Sequence, residues 1–204
     1  MAKIDYKRVY ADLYKPSAKA FSTVEIPPLQ YLMIDGRGDP NIAQAYQDAL
    51  EALFALAYAV KFALKGRDLD HVVMPLEGLW WTPDMADFTD EDKSSWLWTM
   101  MIMQPPEVDD ALLAAAREQA ATKKDPVALP KVRLETLEEG LAAQILYLGA
   151  YADEAPTIQR LHDYIEAQGC ERYGKHHEIY LSDPRRTAPE RLKTVIRQPM
   201  RPRT

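Results

Sequence analysis

One order of hydrophobic patterning occurs twice in this chain, and it limits the possible folds more than any other feature. The order is a strand-like run, a helical stripe, then two further strand-like runs. In the first pass, residues 29–34 read as a strand that ends at Asp35-Gly36-Arg37-Gly38-Asp39-Pro40, a dense turn signal. Asp39 or Asn41 can cap the helix that follows. Ala45, Ala49, Ala52, Leu53, Leu56, Val60 and Leu64 give that helix an apolar stripe as far as Lys65, where Gly66 ends it. Residues 74–81 and 95–104 complete the set as strands, and Pro105-Pro106 stop the second.

In the second pass, residues 132–136 and 142–148 are extended. Asp153-Glu154-Ala155-Pro156 open a helix with Ile158, Leu161 and Ile165 on one stripe, and Gly169 closes it. Residues 173–181 and 193–197 read as strands. Between them Thr187-Ala188-Pro189-Glu190 has the form of a capping box that opens a short turn. An alanine-rich helix over 107–125, with Leu112, Leu113, Ala116 and Ala120 on one face, connects the two passes. The expected architecture is α+β, a duplicated β-α-β-β module with repeat one over 29–104 and repeat two over 131–199. The two pseudo-symmetric halves would carry antiparallel sheets with a cleft between them. Residues 1–24 read as an N-terminal extension to a domain over 25–204. Tyr6, Val9, Tyr10, Leu13 and Tyr14 have helical spacing there, which fits a docking helix or a lid.

Composition narrows the function classes. The chain has 204 residues, 47% of them hydrophobic, enough for one sizeable core or two small packed halves. Its net charge of −6 argues against a general nucleic-acid binder, which needs a basic face. The basic end (Arg191, Lys193, Arg197, Arg201, Arg203) reads as a solvated face. A single cysteine excludes an intrachain disulfide framework and favours an intracellular, cytoplasmic protein. The first residues lack the apolar run of a signal peptide. Residues 49–64 come nearest to a membrane span, but Glu51 and Lys61 interrupt them.

The chemistry concentrates in residues 172–187. Alternation along a strand puts His176, Glu178, Tyr180 and Ser182 on one face and His177, Ile179 and Leu181 on the other. The aliphatic face suits a core, which leaves Glu178 between an imidazole and a phenol on a face that is either wet or lining a site. Four tryptophans also fall in strand-like runs: Trp80, Trp81, Trp96 and Trp98. Leu97, Met101 and Met103 make an aliphatic side suited to a helix-packed core, so Trp96, Trp98 and Met100 are assigned to the opposite side, the cleft. Trp81 shares a face with Glu77.

These residues bear a resemblance. Residues 31–41 (Tyr-Leu-Met-Ile-Asp-Gly-Arg-Gly-Asp-Pro-Asn), 75–81 (Pro-Leu-Glu-Gly-Leu-Trp-Trp), 144–151 (Gln-Ile-Leu-Tyr-Leu-Gly-Ala-Tyr) and 174–186 together resemble the GyrI-like small-molecule-binding proteins, in their stand-alone bacterial branch. The resemblance covers nearly the whole chain from about residue 5. It implies a duplicated β-α-β-β domain with a ligand cleft between its halves. It also implies kinship with effector domains of multidrug-responsive regulators and with hydrolases of cyclopropane-bearing natural products. The family's pocket glutamate maps onto Glu178, and its Leu-Trp-Trp aromatics onto Trp80 and Trp81. The family often has His at the position of Tyr147 and Pro at that of Ala150.

Two functions follow as expectations. In the first, a lipophilic, aromatic or cationic small molecule stacks on tryptophan and tyrosine and pairs with Glu178, whose pKa burial would raise. Trp80, Trp81, Trp96, Trp98, Met100 and Tyr147 would line the site, with His176 supplying a hydrogen bond at its rim. In the second, the chain is a hydrolase that opens a strained ring, with Glu178 as general base and Tyr180 positioning the water. A third option is an adaptor that uses the acidic run 84–92 and the basic tail. No cofactor and no metal are expected, because adjacent His176 and His177 face opposite ways and cannot chelate together. Cys170 has no base beside it to make it a nucleophile. The turn over 35–40 departs from a phosphate-binding glycine pattern, and its two aspartates would repel an anion. The only partner expected is a small-molecule ligand, with no nucleic acid and no membrane.

Overall fold

Strand β2 (Leu29–Arg37) shows why these runs pair as they do. Leu29 and residues 31–34 are buried, so both faces of the strand are covered and its register is fixed by packing. The structure, a computed structural model, describes residues 3–83 and 93–203. Among them are nine strands and five α-helices. The remaining strands are β1 (Ser22–Ile26), β3 (Leu76–Trp81), β4 (Leu97–Met103), β5 (Arg133–Leu137), β6 (Gly140–Leu148), β7 (Cys170–Arg172), β8 (His176–Tyr180) and β9 (Lys193–Pro202). The helices are α1 (Tyr6–Val9), α2 (Ala11–Tyr14), α3 (Gln44–Lys65), α4 (Asp110–Lys124) and α5 (Ala155–Ala167). The acidic run 84–92 lies outside the described residues.

Contacts divide the chain into two units. Unit 1 comprises Met1–Tyr6, Leu29–Met74 and Trp80–Leu137. In it β2 pairs antiparallel with β4 on one side and β5 on the other. Helix α3 packs on β2 and β4, and α4 packs on α3. The α3 stripe that goes inside is Ala49, Ala52, Leu53, Leu56, Ala57, Ala59, Val60 and Leu64. Helix α4 starts on Asp109, whose carboxylate accepts a hydrogen bond from Leu112 N at 2.7 Å.

Unit 2 comprises Lys7–Pro28, Pro75–Leu79 and Glu138–Thr204. Its strands run β1-β6-β9-β8 as antiparallel neighbours, and β7 also pairs with β9. Helix α5 lays Leu161 and Ile165 on Ala143 and Ile145 of β6 and on Ile196 and Met200 of β9. Strand β3 is divided, with Leu76–Leu79 in unit 2 and Trp80–Trp81 in unit 1.

Five local expectations need correction. Strand β1 has no counterpart in the sequence reading: of Ser22-Thr-Val-Glu-Ile26 only Ile26 is buried, so the run carries little apolar signal. The tyrosine-rich start is two single turns, α1 and α2, and not one helix. The strand expected over 173–181 starts later, as β8 at His176, and a separate strand, β7, precedes it at Cys170–Arg172; Gly174 takes φ +67 between the two. Asp39 does not cap α3; its carboxylate accepts from the backbone and side-chain nitrogens of Asn41, and the helix starts later, at Gln44. Thr187 forms no capping box, since the turn Pro189–Arg191 is preceded by Ala188 with no side-chain cap.

Candidate functional site

Glu178 sits opposite Ile196 across the β8–β9 ladder, and Ile196 sits opposite Ile145 on β6. Cross-strand partners share a face. Ile145 and Ile196 pack against α5, so Glu178 is on the helix-covered face of unit 2. Ile179 is fully buried, as a core face requires, but α5 covers the other side, the one that carries Glu178. Alternation sorts residues into two faces, but nothing in it says which face receives the helix.

At that position Glu178 is 8% exposed. His176 Nε2 stands 3.1 Å from Glu178 Oε1, and His176 is itself 2% exposed, buried beside Glu178 and not at a rim. Burial pushes the Glu178 carboxyl up, yet the hydrogen bond and charge of His176 and the hydrogen bond from Tyr180, with a further hydrogen bond shared with Glu154, outweigh it, leaving the pKa below the usual carboxylate value. The sequence alone predicts a raised pKa; burial is present, but the surrounding donors win. Tyr151, in the 3-10 turn before α5, meets Tyr180 edge to face with ring centroids 5.6 Å apart. Burial, followed by the negative charges of Glu178, Glu154 and Asp183, pushes the Tyr151 phenol up to about 12. It therefore stays a neutral hydroxyl at any ordinary pH. The site offers an ionised carboxylate, an imidazole and two phenols.

Tyr147 lies near this site on the same face, but its hydroxyl donates to Ala150 O at 3.0 Å and its ring packs on the α5 core. The ring folds back over Gly149, where a Cβ would come within 2.5 Å of Tyr147 Oη.

The tryptophans belong to unit 1. Tyr46 on α3 contacts Trp98 edge to face at 5.3 Å and Trp80 at 6.1 Å, and Trp80 contacts Trp96 at 5.5 Å. Trp98 and Met100 are thus on the α3 side of β4, the reverse of the assignment made from the aliphatic residues. Trp98 and Met100 are 1% and 0% exposed, whereas Trp81 and Trp96 are half-buried. Lys93 Nζ sits 4.7 Å from the Trp96 ring.

The opposite face of unit 2 holds a cluster that sequence reasoning passed over. His177 is fully buried, with Nε2 3.0 Å from Glu77 Oε2 and Nδ1 2.9 Å from Glu139 Oε1. Arg197 Nη1 is 3.4 Å from Glu139 Oε2, and Tyr14 Oη donates to Glu77 Oε1 at 2.7 Å. Burial opposes a charge on His177, but Glu139 and Glu77 raise its pKa overall. Burial likewise pushes Glu139 up, and His177 and Arg197 more than reverse it. The cluster sets the Glu77 and Glu139 carboxyls against the His177 imidazole and the Arg197 guanidinium, so each buried polar group meets one of opposite character. The available signal was a glutamate in the apolar run Pro75-Leu-Glu-Gly-Leu, since a carboxylate there needs a buried partner.

Other expected features are structural. Asp35, in the glycine-rich turn, accepts from Thr99 Oγ1 at 2.7 Å and pairs with Arg133 at 2.9 Å. Cys170 is buried in the α5 core. Among the described residues, no group of three or more His, Cys, Asp or Glu side chains is placed to hold a metal. No helix among them is long and apolar enough to cross a membrane.

Mixed helices and antiparallel strands define an α+β domain. The chain belongs to the GyrI-like small molecule binding domain family, whose profile matches residues 19–201. Its fold is close to that of an uncharacterized conserved protein from Listeria innocua, at 37% identity and TM-score 0.91, covering 98% of this chain and 100% of that one. A hydrolase from Listeria innocua superimposes with TM-score 0.89 at 36% identity, over 98% of this chain and 100% of that one. The EcmrR C-terminal domain, at 10% identity and TM-score 0.56 over 90% of this chain and 98% of that one, shares the fold alone. No curated protein matched the sequence.

Proposed function

We propose that the chain binds a lipophilic, aromatic or cationic small molecule at Glu178. One observation carries this reading: a nearly buried carboxylate with a depressed pKa beside the crossed rings of Tyr151 and Tyr180. A cation held against such rings gains about 0.5–2 kcal/mol per contact, and the carboxylate adds charge where water is scarce. The test is intrinsic-fluorescence titration of wild type and Glu178→Gln with a lipophilic cation and with a neutral aromatic of similar size. Weaker binding of the cation alone in the variant supports the reading. Equal binding of both compounds to both proteins rejects it.

A second reading is hydrolysis, favoured by the hydrolases from Listeria innocua at 36% and 35% identity. Glu178 would take a proton from water while the water oxygen bonds to a carbon of a strained cyclopropane. The ring C–C bond breaks, and its electron pair passes into a conjugated carbonyl, whose oxygen takes up a proton. Tyr180 would orient the water, and His176 would hold Glu178 in place. Base catalysis of this kind contributes roughly 10²–10⁴-fold. Mass spectrometry after incubation with a cyclopropane-bearing aromatic checks it: a product one water heavier, absent with Glu178→Gln, is the expected result.

A further inference from the structure

Thr194 on β9 stands directly opposite Tyr147 on β6 and Tyr180 on β8. It therefore lies on the α5 face between two phenols, diagonal to Glu178. It is 0% exposed, and its hydroxyl has no hydrogen-bond partner among the described residues. A buried hydroxyl left unmet is costly, and valine would fill the same space without that cost. The hydroxyl calls for a polar partner from outside the chain.

Diagonal neighbours on a sheet face are about 7–8 Å apart. Glu178 could reach across that span, yet it makes no hydrogen bond to Thr194 Oγ1, and the gap suits one bridging molecule. A buried water needs two to four polar partners. Thr194 Oγ1, the Glu178 carboxylate and the Tyr180 hydroxyl can provide three. We propose that Thr194 is a positioning residue that holds an ordered water against Glu178. Its use in catalysis rests on the hydrolase reading; the water site itself does not.

The test is a set of high-resolution crystal structures of the full chain as wild type, Thr194→Val and Thr194→Ser. Wild type and Thr194→Ser should each show a water within hydrogen-bond distance of residue 194 and of Glu178. Thr194→Val, of the same shape, should lack it. No water in wild type, or a water that persists in the Thr194→Val variant, overturns the proposal. The same three proteins are then incubated with a cyclopropane-bearing aromatic. A roughly tenfold lower kcat for Thr194→Val with KM little changed, and near-normal kcat for Thr194→Ser, supports the catalytic use of the water. No turnover by any of them rejects the hydrolase reading while leaving the water site established by the crystals.

Discussion

The indole of Trp98 fills the space that a side chain on Gly36 would need. The two residues are register partners, and a Cβ built on Gly36 would stand 2.0 Å from Trp98 Cη2. The indole N–H also donates to Gly38 O at 3.3 Å, so the ring is held from a second side. Gly36→Ala should therefore cost about 1–3 kcal/mol through overpacking. Combining it with Trp98→Leu should cost less than the sum of the two single changes, because the smaller side chain relieves the clash. Urea midpoints of the three variants check both statements; additivity would contradict them.

The His177 cluster sets a stability window. His177 has a raised folded pKa, so its contribution is complete below its unfolded value near 6.5 and is lost as pH climbs through the folded value. Glu139 has a lowered one, so its contribution is complete above 4.5 and is lost as pH falls through the folded value. Both are complete only between those two values. Glu139→Gln should cost about 3–5 kcal/mol there, since it breaks a buried ion pair. It should also flatten the decline on the alkaline side. Denaturation midpoints from pH 4 to 9, wild type against variant, would show it, and parallel curves would contradict it.

Glu178→Gln keeps shape while removing charge. The wild-type carboxylate has a lowered pKa, so its stabilising share is present above 4.5 and fades as pH falls through the folded value. The variant should be less stable than wild type at pH 7 and should converge with it in acid. Thermal melts across that range give the comparison.

Asp125 ends α4 in the left-handed region at φ 41 and ψ 58, a conformation that favours glycine. Asp125→Gly should stabilise by about 0.5–1 kcal/mol, the relieved strain being partly offset by the freer unfolded chain. Asp125→Ala should destabilise. A calorimetric comparison that ranks alanine above glycine would contradict this account.

The order of elements was legible because its signals are local. The α3 stripe, the stop at Pro105-Pro106 and the left-handed Gly169 (φ +71) are each written within a few residues. Glu178, His176 and Tyr180 were legible as one face of one strand. What escaped depends on the other side of the ladder. That Glu178 faces α5 is decided by Ile145 and Ile196 on neighbouring strands. That Glu154, at the start of α5, shares a hydrogen bond with Glu178 is decided by how the helix is placed and not by the strand itself. His177 looked like a residue merely pointing away from His176, because its partners Glu77 and Glu139 are distant in sequence.

The anchoring of α2 has a consequence for how this chain can change. Arg197 Nη2 donates to Leu13 O at 2.8 Å, and Gln144 Nε2 donates to Asp12 O at 2.6 Å. Both grip main-chain oxygens, which every amino acid supplies. Substitutions at exposed positions in this stretch should pass with little effect, whereas inserting or deleting one residue between Asp12 and Tyr14 would present the wrong oxygen to each donor. Homologues should therefore vary at the exposed Asp12, keep buried Leu13 and Tyr14, and hold the residue count, with length changes collecting in the segment between Tyr14 and β1.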